Sequence, residues 1–510
     1  MAERTLVQRL GELGAHTDFV ELPSGLRDSL DARVLDIIGL AVAATRLDTS
    51  DSVLGFADEL GGRASATAVG LAERTSAPTA AFVNGVLAHS LDFDDTHLPS
   101  IVHPSASVVP AALAAGERSG ASGQDLLAAI AIGLEITVRL GMAGYRPASG
   151  DEPGQSIYFE HGQHATSICG AIGSAATAAR LGGLDATGLA NAMGVAASMA
   201  SGIIEANRTG GTVKRLHCGW AAQAGVTAAM LVERGITGAP TALEGRFGLF
   251  QALLRDEWDA APVLDGLGER WEAASIFYKP YPANHFTHAA IDAAIQLREQ
   301  GLQLSDVASA HLSVATPTVR TIGEPLQVKQ RPLTGYQAQF SGPFAVAAAL
   351  RGGGGLGLGL RDFSDAAAVD PELRAVMATI TVGGSARCDE IYPHQFPAVL
   401  EVHTHDGRHL IAEVLANRGG DLHPLSAVEL RAKFDDNVAG ALSPDDSARV
   451  VAGVGELSAS GQSGQVIRDL LDPVRQLGRF PVVIDDAPGG GDPALVGRPA
   501  DVEGPAPAHT

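Results

Sequence analysis

The chain has 510 residues, 45% apolar and 18% charged, with a formal charge of -22. That composition is ample for a large core, shows no basic cluster for nucleic acid, and gives an acidic surface ill suited to anionic membranes. Three widely spaced cysteines, Cys169, Cys218 and Cys388, form no CxxC pair, so no disulfide framework or zinc motif is readable and a reducing cytoplasm is expected.

The N-terminal residues are charged and lack the apolar stretch of a secretory signal, and no run of about 20 apolar residues is free of Gly, Ser or charge, so no membrane span is predicted. From about residue 25 to 255 the sequence reads as successive Ala/Gly-rich helices, among them 26–46, 123–141, 164–183 and 218–235. They are apolar nearly all round, as buried, closely packed helices are. Residues 288–301 are still helical, whereas 311–319, 378–383 and 398–414 alternate as strands do, the last around the hairpin signal Asp406-Gly407. The segment 425–442 returns to helix, and the tail is rich in Pro and Gly with few large apolar residues.

The expected fold class is therefore mainly α. A helical domain (1–274) is completed by C-terminal helices (421–484), a smaller α/β lid domain (275–420) is inserted, and the tail (485–510) is disordered. Gly352 to Gly357 matches GxGxxG but follows a helix rather than a strand. It is read as a flexible loop, not a dinucleotide site.

The segment 89–103 crowds Asp92, Asp94, Asp95, His89, His97 and His103 directly before a core helix. His103 precedes Pro104-Ser105 at a helix start, His164 precedes the 165–183 stretch, Lys214 lies just before 217–235, and Lys279 lies ahead of the 287–297 stretch. Helix N-termini carry partial positive charge and unpaired N–H groups, so they attract anions and hold a nearby histidine neutral. Four such ends, if they converge, make a pocket for a small polycarboxylate in an otherwise acidic protein. Asp92 and Thr96 are four residues apart and would share a face on a helix. The pairs His161/His164 and His285/His288 lack a carboxylate ligand set or an HExxH motif, so no metal is assigned.

The segments 80–117, 162–185, 211–245, 277–294 and 423–434, read together and in order, resemble the MmgE/PrpD family. That family includes 2-methylcitrate dehydratases, cis-aconitate decarboxylases and an iminodisuccinate epimerase. The resemblance implies a site between helical and lid domains, no cofactor, and a homodimer. It implies catalytic roles for Asp92, His103, His164, Lys214 and Lys279, with Thr96, Asn284 and His285 binding substrate. Asp92 and Thr96 match the family's acid–hydroxyl pair, and Asp92 is expected to orient a histidine or lysine. Which histidine is base and which is acid is left open. Two positions depart from the decarboxylases, which resemblance says carry a tyrosine where Phe344 stands and a histidine where Asn284 stands. The expected activity is a metal-independent hydro-lyase of the 2-methylcitrate dehydratase type. The alternatives are an epimerase, a cis-aconitate decarboxylase-type enzyme, and a diverged non-catalytic binding protein.

Overall fold

The computed structural model describes residues 4–147, 155–206, 211–459, 465–475 and 477; the tail expected to be disordered lies outside them. Eight helices build most of the first half: α1 (Leu6–His16), α2 (Ser24–Ala44), α3 (Asp48–Leu60), α4 (Ala77–His89), α5 (Ser105–Ser119), α6 (Gly123–Ala143), α7 (Ala165–Leu181) and α8 (Ala186–Ala197), followed by α9 (His217–Val232). Local chemistry sets their ends. The side chains of Ser76 and Ser122 accept the N–H groups of Thr79 and Asp125, capping α4 and α6. Gly120 ends α5 in the left-handed conformation, its N–H on the Gly116 carbonyl. Helix α6 is long and apolar enough to cross a membrane, yet it is enclosed by the core.

The smaller part begins with α10 (His288–Glu299) and β1 (Val307–Val314), and continues through α11 (Gly342–Arg351), β2 (Ile380–Gly384), β3 (Ala398–Thr404) and β4 (His409–Val414). The sheet order is β2-β1-β3-β4, with β1 and β2 parallel and the other pairs antiparallel. Leu312 stands opposite Val382 on one side and Leu400 on the other. Helices α10 and α11 pack together, with α10 against the sheet, and their buried residues join those of the strands in one apolar cluster. The expected strand 311–319 is half right: the strand stops at Val314, and Thr316-Pro317 starts a helix to Ile322, because proline suits a first helical turn.

Three C-terminal helices, α12 (Ala427–Val438), α13 (Pro444–Leu457) and α14 (Gln465–Leu471), return to the first apolar cluster through Phe434, Val450, Leu457 and Ile467. The glycine-rich segment after α11 is not loose. Asp362 accepts the N–H groups of Gly354 and Gly359, both at 2.8 Å, so a carboxylate of the chain itself ties the segment down.

Small residues matter here for contact rather than for turns. A Cβ on Gly219 of α9 would lie 2.4 Å from the Phe82 carbonyl of α4, and one on Gly225 would lie 2.6 Å from the Ala175 N–H of α7. These helices therefore touch backbone to backbone. Alanine at 219 would gain about 1 kcal/mol of helix propensity, but overpacking against main chain costs about 1–3 kcal/mol. Gly219→Ala should thus lower the urea midpoint, and a raised midpoint would show that the two helices part easily.

Candidate active site

Between α4 and α5 the chain runs through residues 90–104 without regular structure, and almost all of this loop is buried. Asp92 sits in the left-handed region, with φ of 52°. From the lid side, Lys279 donates to the Asp92 main-chain carbonyl at 2.8 Å and to its carboxylate at 3.1 Å. Lys214, from the 3-10 turn before α9, reaches the same carboxylate oxygen at 3.8 Å. Burial alone would raise the Asp92 pKa, but the two ammonium groups overcome it and hold the carboxyl below its usual range. Burial alone would lower Lys214, but Asp92, followed by Tyr336 of the lid, keeps it raised.

His103 precedes the Pro104 N-cap of α5. Its Nδ1 lies 2.7 Å from the Asp95 carbonyl and 3.1 Å from Thr96 Oγ1, and its own N–H donates to Thr166 Oγ1 at 3.1 Å. A carbonyl only accepts, so Nδ1 carries the proton and Nε2 carries the lone pair. Burial lowers the ring to about 4. Near neutral pH this histidine is an uncharged base of fixed tautomer.

The other two loop carboxylates have their own partners. Asp94 meets His89 Nδ1 at 2.7 Å. Asp95 meets Arg33 of α2 at 2.8 Å and also accepts from the Ser105 hydroxyl and N–H. Asp95 is thus the anion at the N-terminus of α5, so this helix end is filled by the protein itself and is not open to substrate. His164 is the N-cap of α7, and its Nδ1 lies 2.8 Å from Nδ1 of His217. Its ring also lies 5.7 Å from that of His89.

The structure brings Asp92, Thr96, His103, Lys214 and Lys279 together, with His164 behind them across the ring of His89. Asp92 and Thr96 share no helix; Thr96 bridges to Phe277, with N–H···O distances of 2.9 and 2.8 Å, and so joins the loop to the lid. The ends of α5, α7 and α9 converge as expected, but Lys279 stands on an extended arm nine residues ahead of α10. Asn284 caps the turn ahead of α10, its Oδ1 accepting the Phe286 N–H at 3.1 Å. His285 is buried with both ring nitrogens unpartnered, against Phe277 and Phe396, and burial keeps it well below its ordinary pKa. Phe344 is fully buried and packs on Phe363 in the lid core.

Sequence reasoning missed several contributors. Arg33 and Lys433 arrive from α2 and α12. Lys433 pairs with Asp36 at 2.7 Å and donates to the Phe93 carbonyl at 3.2 Å. His217 stood inside a recognised motif without a role. Tyr336 stands on the lid under the Arg215 guanidinium, 6.0 Å from its ring centre. Ligand atoms of His89, Asp94 and Cys218 lie within 4.8 Å of one another. However, His89 and Asp94 are bonded to each other, and burial, then Asp94, raises the Cys218 thiol well above its ordinary value. A protonated thiol beside a closed His–Asp pair is a poor ligand set for an ion.

Burial holds His97 and His288 near 3, and His103 and His217 near 4. As pH falls below the ordinary imidazole value of about 6.5, the unfolded chain takes up protons on these rings and the folded chain does not. Each step down in that window therefore favours unfolding. Asp95 and Asp292, raised by burial to about 6, act in the opposite sense, as do Asp31, Asp36, Glu135 and Asp436. His164 and His285, held by burial well below the ordinary value, and the lowered Asp92 and Asp94 add to the four rings. The melting temperature should fall between pH 7 and pH 4.5; a flat or rising profile by calorimetry would contradict the burial of these rings.

The MmgE/PrpD N-terminal domain matches residues 8–261, and the MmgE/PrpD C-terminal domain matches residues 281–456. Human cis-aconitate decarboxylase is 29% identical over 430 residues, 81% of this chain and 83% of that protein. The mouse cis-aconitate decarboxylase is 33% identical over 273 residues, 52% of this chain and 53% of that protein. The Aspergillus terreus cis-aconitate decarboxylase is 24% identical over 347 residues, 65% of this chain and 68% of that protein. Two adjacent domain matches covering most of the described residues, on a fold that draws two lysines and a neutral histidine around one buried loop, place the chain in the MmgE/PrpD family.

Proposed function

We propose that this lyase takes a proton from the carbon beside a carboxylate of a small polycarboxylate and expels the neighbouring hydroxyl, as a hydro-lyase of the 2-methylcitrate dehydratase type. The observation that carries this reading is His103: Nδ1–H is committed to the Asp95 carbonyl, Nε2 is unprotonated, and two ammonium groups stand at the adjoining Asp92. The substrate carboxylate rests against Lys214 and Lys279. His103 Nε2 takes the α-proton, and the electron pair moves into an enediolate-like carboxylate that the fixed cations stabilise. The C–O bond then breaks, and the departing hydroxyl takes a proton from the Lys214 ammonium and leaves as water. His164, its Nδ1 on that of His217 and its pKa pushed well below the ordinary value by burial, is the poorer base, and its ring backs the pocket. Asp92 sets the positions of both lysines.

The decarboxylase relatives favour a second reading, loss of CO2 from a cis-aconitate-like substrate, and the match to the human enzyme spans 81% of this chain. That reaction must deliver a proton to carbon. His103, His164 and His285 are held neutral and Phe344 offers no hydroxyl, so a proton for carbon would have to come from an ammonium group such as Lys214. A neutral His103 suits abstraction better than delivery.

Proton NMR of the enzyme in D2O, with 2-methylcitrate, citrate, cis-aconitate and iminodisuccinate in separate tubes, decides between them. A new alkene signal from 2-methylcitrate or citrate is expected. Loss of a carboxylate from cis-aconitate would favour decarboxylation, and deuterium exchange without net change would favour epimerisation. His103→Ala should lower turnover by about 10²–10⁴-fold, and Lys214→Ala by about 10²–10³-fold. Silence in every tube with both the parent and the variants would favour a binding protein. Because ammonium groups supply the positive charge, dialysis against a chelator should leave the rate unchanged; a loss restored by a divalent ion would overturn that assignment.

A further inference from the structure

The helices that carry the site residues also frame a second cavity at their other ends. Its volume is about 550 Å³. Ser76 and Ala77 line it at the start of α4, whose last residue is His89. Arg118 lines it at the end of α5, which begins after His103. Gly182 lines it just past α7, which begins after His164, and Glu233 and Arg234 line it just past α9, which begins after Lys214. Helices of 13 to 17 residues separate the two places by about 20–25 Å.

Five guanidinium groups line this cavity, from Arg63, Arg74, Arg118, Arg234 and Arg468, against two carboxylates, Glu117 and Glu233. Both carboxylates are already engaged. Glu117 is buried, 2.7 Å from Arg74, and accepts the Thr67 N–H at 2.6 Å. Glu233 takes Arg118 at 2.8 Å, and a side chain at Gly182 would strike it. Placing arginine at a helix C-terminus is ordinary for Arg118 and Arg234. It does not account for Arg63, on the loop after α3, or Arg468, on α14. Arg468 stands 3.9 Å from a carboxylate that Arg74 already pairs, and the buried Nε of Arg74 has no partner. Like charges converging from two further elements, the loop between α3 and α4 and helix α14, in a chain whose net charge is -22, cost energy unless an anion joins them.

We propose that this cavity is a second anion site, separate from the catalytic pocket, for a compact molecule bearing two or more phosphate or carboxylate groups. Planar guanidinium forks match both groups by paired hydrogen bonds. The volume admits a ligand of several such groups and excludes a folded partner.

Isothermal titration of the full chain at 0.15 M salt tests this with two probes, inorganic tripolyphosphate and tricarballylate. Each is titrated into the parent, into Lys214→Ala, and into Arg63→Ala/Arg468→Ala. At least one probe should bind, should bind Lys214→Ala equally well, and should weaken by about tenfold or more for each arginine removed. The probe that does so identifies the ligand's acidic groups as phosphate or carboxylate. Arg63→Lys/Arg468→Lys, which keeps the charge and loses the fork, should fall between parent and alanine variant, and the basal rate of the alanine variant should be unchanged. No heat at millimolar probe, binding indifferent to the arginine pair, or binding abolished by Lys214→Ala would overturn the proposal.

Discussion

The site depends on keeping three carboxylates ionised inside a protein. Asp92, Asp94 and Asp95 are all buried within four residues of one another. Taking such a group out of water costs several kcal/mol, and leaving one unpaired costs about 3–5 kcal/mol. The fold answers with a different partner for each: two lysines for Asp92, His89 for Asp94, and Arg33 for Asp95. Those partners come from the lid, the turn before α9, α4 and α2. The loop is therefore where the separate parts of the chain are obliged to meet, and its charge pairing fixes the placement of the lysines.

This arrangement also separates the jobs of chemically similar residues. Asp92 faces ammonium groups and orders them. Asp95, one turn of loop away, holds α5 with its side chain and His103 with its carbonyl. His103 keeps partial exposure, whereas His89, His164 and His217 face one another in a buried row. Burial holds His103, His164 and His217 below their ordinary pKa, but hydrogen bonding decides which of them keeps a lone pair for the substrate.

Much of this was legible in the sequence, for physical reasons. Ala/Gly-rich helices buried on all sides leave little choice of class, and His103, His164 and Lys214 lie close to helix starts, where residue type carries positional meaning. What could not be read was whatever closes over long stretches of chain. Arg33 meets Asp95 across 62 residues and Lys433 meets the Phe93 carbonyl across 340; nothing local to either cation announces its partner. Spacing misled in one case: Asp92 and Thr96 suggested a helical face, but Asp92 turns the chain at positive φ and sends the two side chains to different tasks. Asn284 and Phe344 marked departures from the relatives, and only packing reveals one as a cap and the other as lid core.

The partner that fixes the tautomer of His103 is a main-chain carbonyl. No substitution at position 95 deletes that acceptor, provided the loop keeps its path. The acid–base character of the histidine is thereby inherited from backbone geometry, while the side chains around it stay free to vary. A fold wired in this way can exchange one small acid for another by altering the pocket wall, without having to rebuild its base each time.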